Sequence, residues 1–291
     1  MPKFQPDPIS VFAPAKINLY LHITGKRADG FHLLDSLIVF ADCGDQVAVA
    51  PADRLALTID GPFGTTLSSG DDNLVITAAR LLAEFSGIEP KAEITLTKNL
   101  PIASGIGGGS ADAAAALKAL TELWQISPSQ EDLLNLAKKL GADVPVCLAG
   151  TPSFISGIGE IIIPAPALPG IWLVLVNPGE PVATPEVFAK RDGTFSNALP
   201  FDRSPATPAE LATLLSDRHN DLTASATLVA PVIAEVLSAL QASHGQLLSR
   251  LSGSGATCFA LFDDESTAQD AAKSLRADHP MWWVQAAAMR T

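Results

Sequence analysis

The chain has 291 residues, about two domains at roughly 150 residues each, and 47% of them are hydrophobic against 17% charged, which excludes a disordered chain. Acidic residues outnumber basic ones, 31 to 19, for a formal charge of −12. An anionic partner would have to approach against the protein's own field, so neither nucleic acid nor a membrane surface is expected, and any anionic ligand must be held by local groups.

The opening MPKFQPDPIS carries no apolar run of the kind that marks a secretory leader. FAPAKINLYLHI alternates: Ala13, Ala15, Ile17, Leu19, Leu21 and Ile23 share one strand face, and Lys16, Asn18, Tyr20 and His22 the other, so one face is expected in a core. Strand-like runs LIVFADCGDQVAVA and LALTID follow. DDNLVITAARLLAEF then reads as a helix capped by Asp72 or Asn73. KAEITLTKNL is a strand, and SQEDLLNLAKKLG a helix that stops at Gly141. The apolar run from Ile161 to Val176 is broken by Pro164, Pro166, Pro169 and Gly170 and is too short for a membrane span of about 20 residues, so it reads as strand, turn, strand. PAELATLLS and APVIAEVLSALQA are helical, and CFALFDD is a strand after a second glycine turn.

Strands and helices mix without a regular βαβα alternation, which predicts an α+β fold. The breakers around residues 164–169 suggest domains of 1–168 and 169–291. Cys43, Cys147 and Cys258 stand far apart without a CxxC pair, which argues against a zinc or disulfide framework and fits small buried residues in a reducing, cytoplasmic compartment.

The stretch that carries chemistry is LPIASGIGGGSADAAAALKAL, residues 100–120. Glycines permit positive φ and close approach of backbone to a ligand, and a helix starting directly afterwards aims its unpaired N–H groups and positive dipole end at the same point. Such a point binds phosphate. Gly105, Gly107, Gly108 and Gly109 precede Ser110, which is expected to cap a helix rich in alanine. A Walker A loop would need a lysine after the glycines, and the dinucleotide fingerprint a third glycine where Ser110 stands; neither fits.

PAKINL at residues 14–19, LPIASGIGGGSADAA at 100–114 and LSGSGATCFALF at 251–262 resemble, in order, the three motifs of the GHMP small-molecule kinases. GKRADGFHLLDS and GADVPVCLAGTPSFISGIGE are similar to the branch of that family whose acceptor is a methylerythritol unit carrying a cytidine diphosphate, in the non-mevalonate isoprenoid route. The resemblance implies a two-domain fold with the active site in the interdomain cleft, and transfer of the γ-phosphoryl of ATP to a hydroxyl, with Mg²⁺ carried by the nucleotide. It implies an ATP site formed by Pro101, Ile102, Ala103, Ser104, Gly105, Ile106, Gly107, Gly108, Gly109, Ser110 and Ala111, with Lys98 and Asn73 nearby.

Asp143 resembles the catalytic base and Lys16 its partner, which polarises the hydroxyl and keeps the aspartate ionised. Asn18, Phe31, His32, Thr184 and Phe188 resemble acceptor-binding positions, with Phe31 standing where the family usually has tyrosine and Ala111 where many members have serine. Gly253, Ser254 and Gly255 resemble a turn on the phosphate side.

Taken alone, several of these residues have plainer readings. Asp143 before Val144 and Pro145 is a good helix cap, Lys16 and Lys98 are solvated lysines, and Asn73 caps a helix. Asp112 is an acid favoured by the first turn of its helix, Phe188 is a core aromatic, and 253–255 is a structural turn. His22, His219, His244 and His279 have no recognisable partners. Two alternatives to this kinase remain: a nucleotide-binding module without catalysis, and a sibling kinase with another small alcohol as acceptor.

Overall fold

The structure, a computed structural model, describes residues 7–290; the stretch up to residue 6, over most of which no leader was expected, lies outside the described residues. In chain order, β1 (Ile9–Lys26), β2 (His32–Ala50), β3 (Ala56–Asp60), α1 (Leu74–Ser86), β4 (Glu93–Thr97), α2 (Gly108–Leu123), α3 (Gln130–Leu140) and α4 (Val144–Ala149) come first. They are followed by β5 (Ser153–Gly157), β6 (Ile161–Pro164), β7 (Trp172–Asn177), α5 (Thr184–Ala189), α6 (Pro208–Ser216), α7 (Thr223–Val229) and α8 (Val232–Ala242). β8 (Gln246–Leu251), β9 (Cys258–Phe262), α9 (Glu265–Asp278) and β10 (Trp283–Arg290) complete the order. This mixture is the α+β class expected from the sequence.

The chain forms two compact units, each assembled from several stretches. Among the described residues, one comprises 7–15, Gly44–Leu100 and Gly108–Ala149; the other comprises Lys16–Cys43, Pro101–Gly107 and 150–290. The chain passes from one to the other within β1, within β2, on entering and leaving the glycine loop, and after α4.

In the first unit, β3 runs parallel to β4, from Ala56 opposite Glu93 to Asp60 opposite Thr97, and β4 pairs antiparallel with the end of β2. α1, α2, α3 and α4 pack on one another. Local signals set their ends: Asn73 accepts from Val75 N to cap α1, and Ser129 with Asp132 forms a capping box at α3. α2 buries Ala111, Ala113, Ala114, Ala115 and Ala116, so its neighbours approach closely while its small side chains lose little entropy.

In the second unit, the start of β2 pairs with β10 and β5, β10 with β7, β7 with β9, and β9 with β8, all antiparallel. Val174, Val176, Cys258, Ala260 and Phe262 of this sheet share a core with Leu222, Ile233, Val236 and Leu240 from the helices. No disulfide links the cysteines; Cys147 and Cys258 are buried, and Cys43 half-buried. Among the described residues, no helix is long and apolar enough to cross a membrane.

One expectation fails on β1. Its second face was read as solvent-facing, yet Lys16, Asn18, Tyr20 and His22 are all buried. A polar network makes this tolerable. Asn18 donates to Ser36 Oγ at 2.8 Å, the Tyr20 hydroxyl reaches both oxygens of Asp35 at 3.1 Å, and Ser36 Oγ donates to the Tyr20 carbonyl. His22, to which the sequence assigns no partner, has two. Its Nδ1 lies 3.0 Å from Asn197 O, and its Nε2 accepts from His219 N at 3.2 Å. That pattern makes it a neutral imidazole with the proton on Nδ1, and burial lowers its pKa in the same sense.

Candidate active site

The second unit holds most of the glycine loop. Lys16 N donates to Ile106 O at 2.9 Å, and the Lys16 stem lies against Gly107, whose φ of +66° suits glycine. A Cβ on Gly107 would stand 3.1 Å from Lys16 Cβ and Cε. Lys16 Nζ donates to Asn18 Oδ1 at 2.9 Å, and only 4% of Lys16 is exposed, so this is a held cation and not the solvated lysine of the plainer reading.

The turn after β8 supports the loop main chain against main chain. Thr257 N donates to Ser104 O at 3.0 Å and Ser252 Oγ to Gly105 O at 3.1 Å, while Asn18 N donates to Ser252 Oγ at 3.2 Å. Asn220 Nδ2 donates to the carbonyls of Leu251 and Gly253, 2.8 Å each, and so fixes the turn. Ser254 Oγ lies 2.8 Å from Thr184 Oγ1 at the start of α5. Lys16, Asn18, residues 104–107, residues 253–255 and Thr184 are thus brought together. Sequence reasoning missed Ser252, Asn220 and Ser36 because each acts on carbonyls or side chains remote in the chain.

A second cluster in this unit joins His32 and Phe188, with Phe31 next to His32 in the chain. The His32 and Phe188 rings lie 5.1 Å apart at 30°, and Phe31 is 59% exposed. Phe188 is half-buried and packs against the core of this unit, so the plainer core reading holds for part of the side chain while the rest stays accessible. Burial first, then the charges of Lys26 and Arg191, lower the pKa of His32, which is therefore neutral near pH 7.

The first unit holds the helical continuation of the loop. α2 begins at Gly108, so Ser110 is its third residue and not its cap. The cause lies beneath it. Lys98 is 3% exposed, and its ammonium donates to Asp45 Oδ2 and, at 2.6 Å, to Asp112 Oδ2. A Cβ on Gly108 would stand 3.0 Å from Lys98 Nζ, and Asp112, four residues on, is tied to the same ammonium, so the first turn winds directly over Lys98. Asp45 Oδ1 also accepts from Asn99 N at 2.6 Å and Leu100 N at 2.8 Å, which fixes the approach to the loop. The solvated reading of Lys98 is therefore overturned, and so is that of Asp112 as a first-turn acid: with α2 starting at Gly108 it is the fifth residue, held there as an ion-pair partner.

Burial opposes the Lys98 charge, but the two carboxylates outweigh it and its pKa rises. Asp112 is pushed up to about 7, by burial first and against the pull of Lys98, and its Oδ1 is buried without a hydrogen-bond partner. Gly109 packs near Leu74 at the head of α1, the helix that Asn73 caps. Asp143 directly precedes α4: its carbonyl accepts from Cys147 N at 3.1 Å, so it occupies the cap position, half-buried.

Such backbone can bind a polyphosphate. Successive loop amides supply donors without charge, Lys16 supplies a cation beside the loop at Ile106 and Gly107, and the chain continues directly into the N-terminus of a 16-residue helix. Comparisons with known proteins agree. The family GHMP kinases N terminal domain matches residues 73–151, and GHMP kinases C terminal matches residues 203–280. A protein of Paramagnetospirillum magneticum named 4-diphosphocytidyl-2-C-methyl-D-erythritol kinase is 54% identical over 275 residues, covering 94% of this chain and 96% of its own. One of the same name from Rhodospirillum rubrum is 51% identical over 280 residues, 96% of this chain and 92% of its own. A crystal structure of 4-(cytidine 5'-diphospho)-2C-methyl-D-erythritol kinase superposes with a TM-score of 0.79 at 33% identity, covering 97% of this chain and 99% of that one. A homoserine kinase from Cytophaga hutchinsonii shares the fold, with a TM-score of 0.74 at 20% identity over 98% of this chain and 95% of its own.

Proposed function

The chain belongs to the GHMP kinase family, and from that premise we propose that it transfers the γ-phosphoryl group of ATP to the 2-hydroxyl of 4-diphosphocytidyl-2-C-methyl-D-erythritol. The observation that carries this reading is the bare-backbone loop of residues 104–107 running into α2, with Lys16 bonded to Ile106 and laid along Gly107.

Phosphoryl transfer has a loose transition state, so the protein's work is alignment and charge neutralisation. The loop amides and the first turn of α2, with the Ser110 hydroxyl, hold the triphosphate of ATP. Mg²⁺ carried by the nucleotide would neutralise charge on the phosphates, and the Ser110 hydroxyl would be the side chain to reach it. Magnesium carried in this way would need few protein ligands, since it keeps several waters and takes phosphate oxygens for the rest.

Asp143 accepts the proton of the acceptor hydroxyl. A carboxylate suffices as base because little proton removal is needed before phosphorus begins to transfer. Lys16, held by Asn18, polarises that hydroxyl. Phe31 and Phe188 stack on the cytosine, and neutral His32 hydrogen-bonds its edge; stacking survives the family's change from tyrosine to Phe31, since both carry the ring.

Release of ADP with ATP, Mg²⁺ and the cytidyl acceptor tests the reading. Turnover with that acceptor and none with mevalonate or homoserine is the expected result. Nucleotide binding without turnover would make the chain a binding module, and stimulation by mevalonate or homoserine would make it a sibling kinase.

A further inference from the structure

Beside the aromatic cluster of His32 and Phe188 stands a cation with no role in the chemistry described so far. Arg191 follows α5 closely, and its N donates to Phe188 O at 3.3 Å. Its guanidinium is set by the short segment after it: one terminal nitrogen donates to Gly193 O at 3.3 Å, the other to Thr194 O at 2.7 Å, and the Phe195 ring lies 5.3 Å below. Nε is buried without a partner. Ser196 N donates to Ile23 O at 2.9 Å, which ties this segment to the end of β1, where Lys26 stands. The turn 27–31 then leads into His32 at the start of β2. Both cations act on His32 electrostatically.

Neighbouring charges are neutralised where these two are not. Arg27 pairs with Asp29 at 2.7 Å and Lys190 with Glu186 at 3.2 Å, whereas among the described residues no carboxylate pairs with Arg191 or Lys26. In a protein of net charge −12, two uncompensated cations beside the half-buried His32 and Phe188 rings form a local anion site. A pyrimidine alone gives them nothing to neutralise. A diphosphate attached to it does, and a planar guanidinium held by carbonyls presents its remaining N–H groups to phosphate oxygens at small entropic cost.

We propose that Arg191, assisted by Lys26, grips the diphosphate of the cytidine-bearing acceptor and so sets the preference for a nucleoside-diphosphate-linked alcohol over a free one. The proposal rests on the acceptor assignment above and adds a specificity residue to it.

The test is titration calorimetry of the full chain with cytidine and with CDP, for the wild type, Arg191→Met, Arg191→Lys and Lys26→Met. In the wild type CDP binds more tightly than cytidine. Arg191→Met is expected to weaken CDP by about tenfold to a hundredfold, the loss of a charge-assisted contact, with cytidine changed less than about twofold. Arg191→Lys falls between, because charge survives but the fork does not. Lys26→Met loses about threefold, as for an exposed cation. The KM for the cytidyl acceptor rises in parallel while the KM for ATP stays within about twofold, which also checks that the variants fold.

Equal weakening of cytidine and CDP would overturn the proposal and make Arg191 a support for the ring slot. Unchanged CDP affinity in Arg191→Met would overturn it too. A wild-type chain that binds neither ligand would refute the acceptor assignment itself, and the proposal with it.

Discussion

Replacing Gly105 by alanine is expected to cost about 2–4 kcal/mol of folding stability and roughly a hundredfold in kcat/KM. The added Cβ would stand 2.4 Å from Ser252 O, 2.7 Å from Gly255 N and 2.8 Å from Gly255 O, all main chain that no side-chain rotation can move. Ordinary contact begins near about 3.4 Å, so the loop and the turn after β8 must part by about 1 Å. That movement breaks the bonds from Thr257 N to Ser104 O and from Ser252 Oγ to Gly105 O, at about 1 kcal/mol each. The φ of +77° adds about 1–2 kcal/mol for any residue with a Cβ. A displacement of about 1 Å in a phosphate-holding loop is enough to lower the rate about a hundredfold.

Gly87→Ala is the control. Its φ is +65° at the end of α1, and nothing lies within 4 Å of the added Cβ, so it carries the backbone strain without the collision. Urea denaturation and steady-state ADP release on both variants separate the two effects. Gly87→Ala should lose about 1–2 kcal/mol and no activity. If Gly105→Ala loses no more stability than Gly87→Ala and keeps its activity, the main-chain support of the loop does not exist as described.

Asp143→Asn and Lys16→Met should each lose at least about 3 kcal/mol of barrier lowering, roughly 150-fold in single-turnover transfer, and near-normal rates in folded protein would remove them from the chemistry. Lys98→Met leaves two buried carboxylates facing each other and should destabilise the fold by about 3–5 kcal/mol, part of which Asp112→Asn in the same chain restores; an unchanged denaturation midpoint would refute the pairing. The Asp112 carboxyl, raised by burial from 3.8 to about 7, favours the folded state in its protonated form. Its contribution is full below about pH 3.8 and is lost as pH rises through about 7, so Asp112→Asn should flatten the fall in stability between pH 5 and 8; a wild type and variant with parallel pH profiles would contradict this.

How much of this was legible varied with the range of the interactions. α1 and α3 could be placed from the sequence because their caps, Asn73 and Ser129, lie beside them. The glycine loop was legible for the same reason. β8 was not, since QLLSRL does not alternate and pairs with β9 across an irregularity between Gln246 and Leu248. α9 hid because its buried face is made of Ala268, Ala271, Ala272 and Leu275, a weak apolar signal.

The two site lysines misled most. Each looks like a surface residue from the sequence around it; the Lys16 ammonium does meet Asn18 two positions on, but the groups that bury each lysine come from elsewhere. Asp45 lies 53 positions from Lys98, and the Ile106 carbonyl that receives the Lys16 amide lies on another element altogether. Nothing within a window of the chain reports on such partners. The start of α2 at Gly108 was missed for that reason: cap propensity favours Ser110, but the winding is set by Asp112 reaching an ammonium that only the fold delivers.

Residues 104 and 105 find their supports near residues 252–257, almost a hundred and fifty positions further on. A chain still emerging from the ribosome has therefore made its phosphate-holding segment long before it has made the brace for it. If the loop holds nucleotide as proposed, full competence has to wait for the β8–β9 turn that braces it. A fragment ending before that hairpin would carry every amide of the loop but lack the bonds from Ser252 and Thr257 that brace residues 104 and 105.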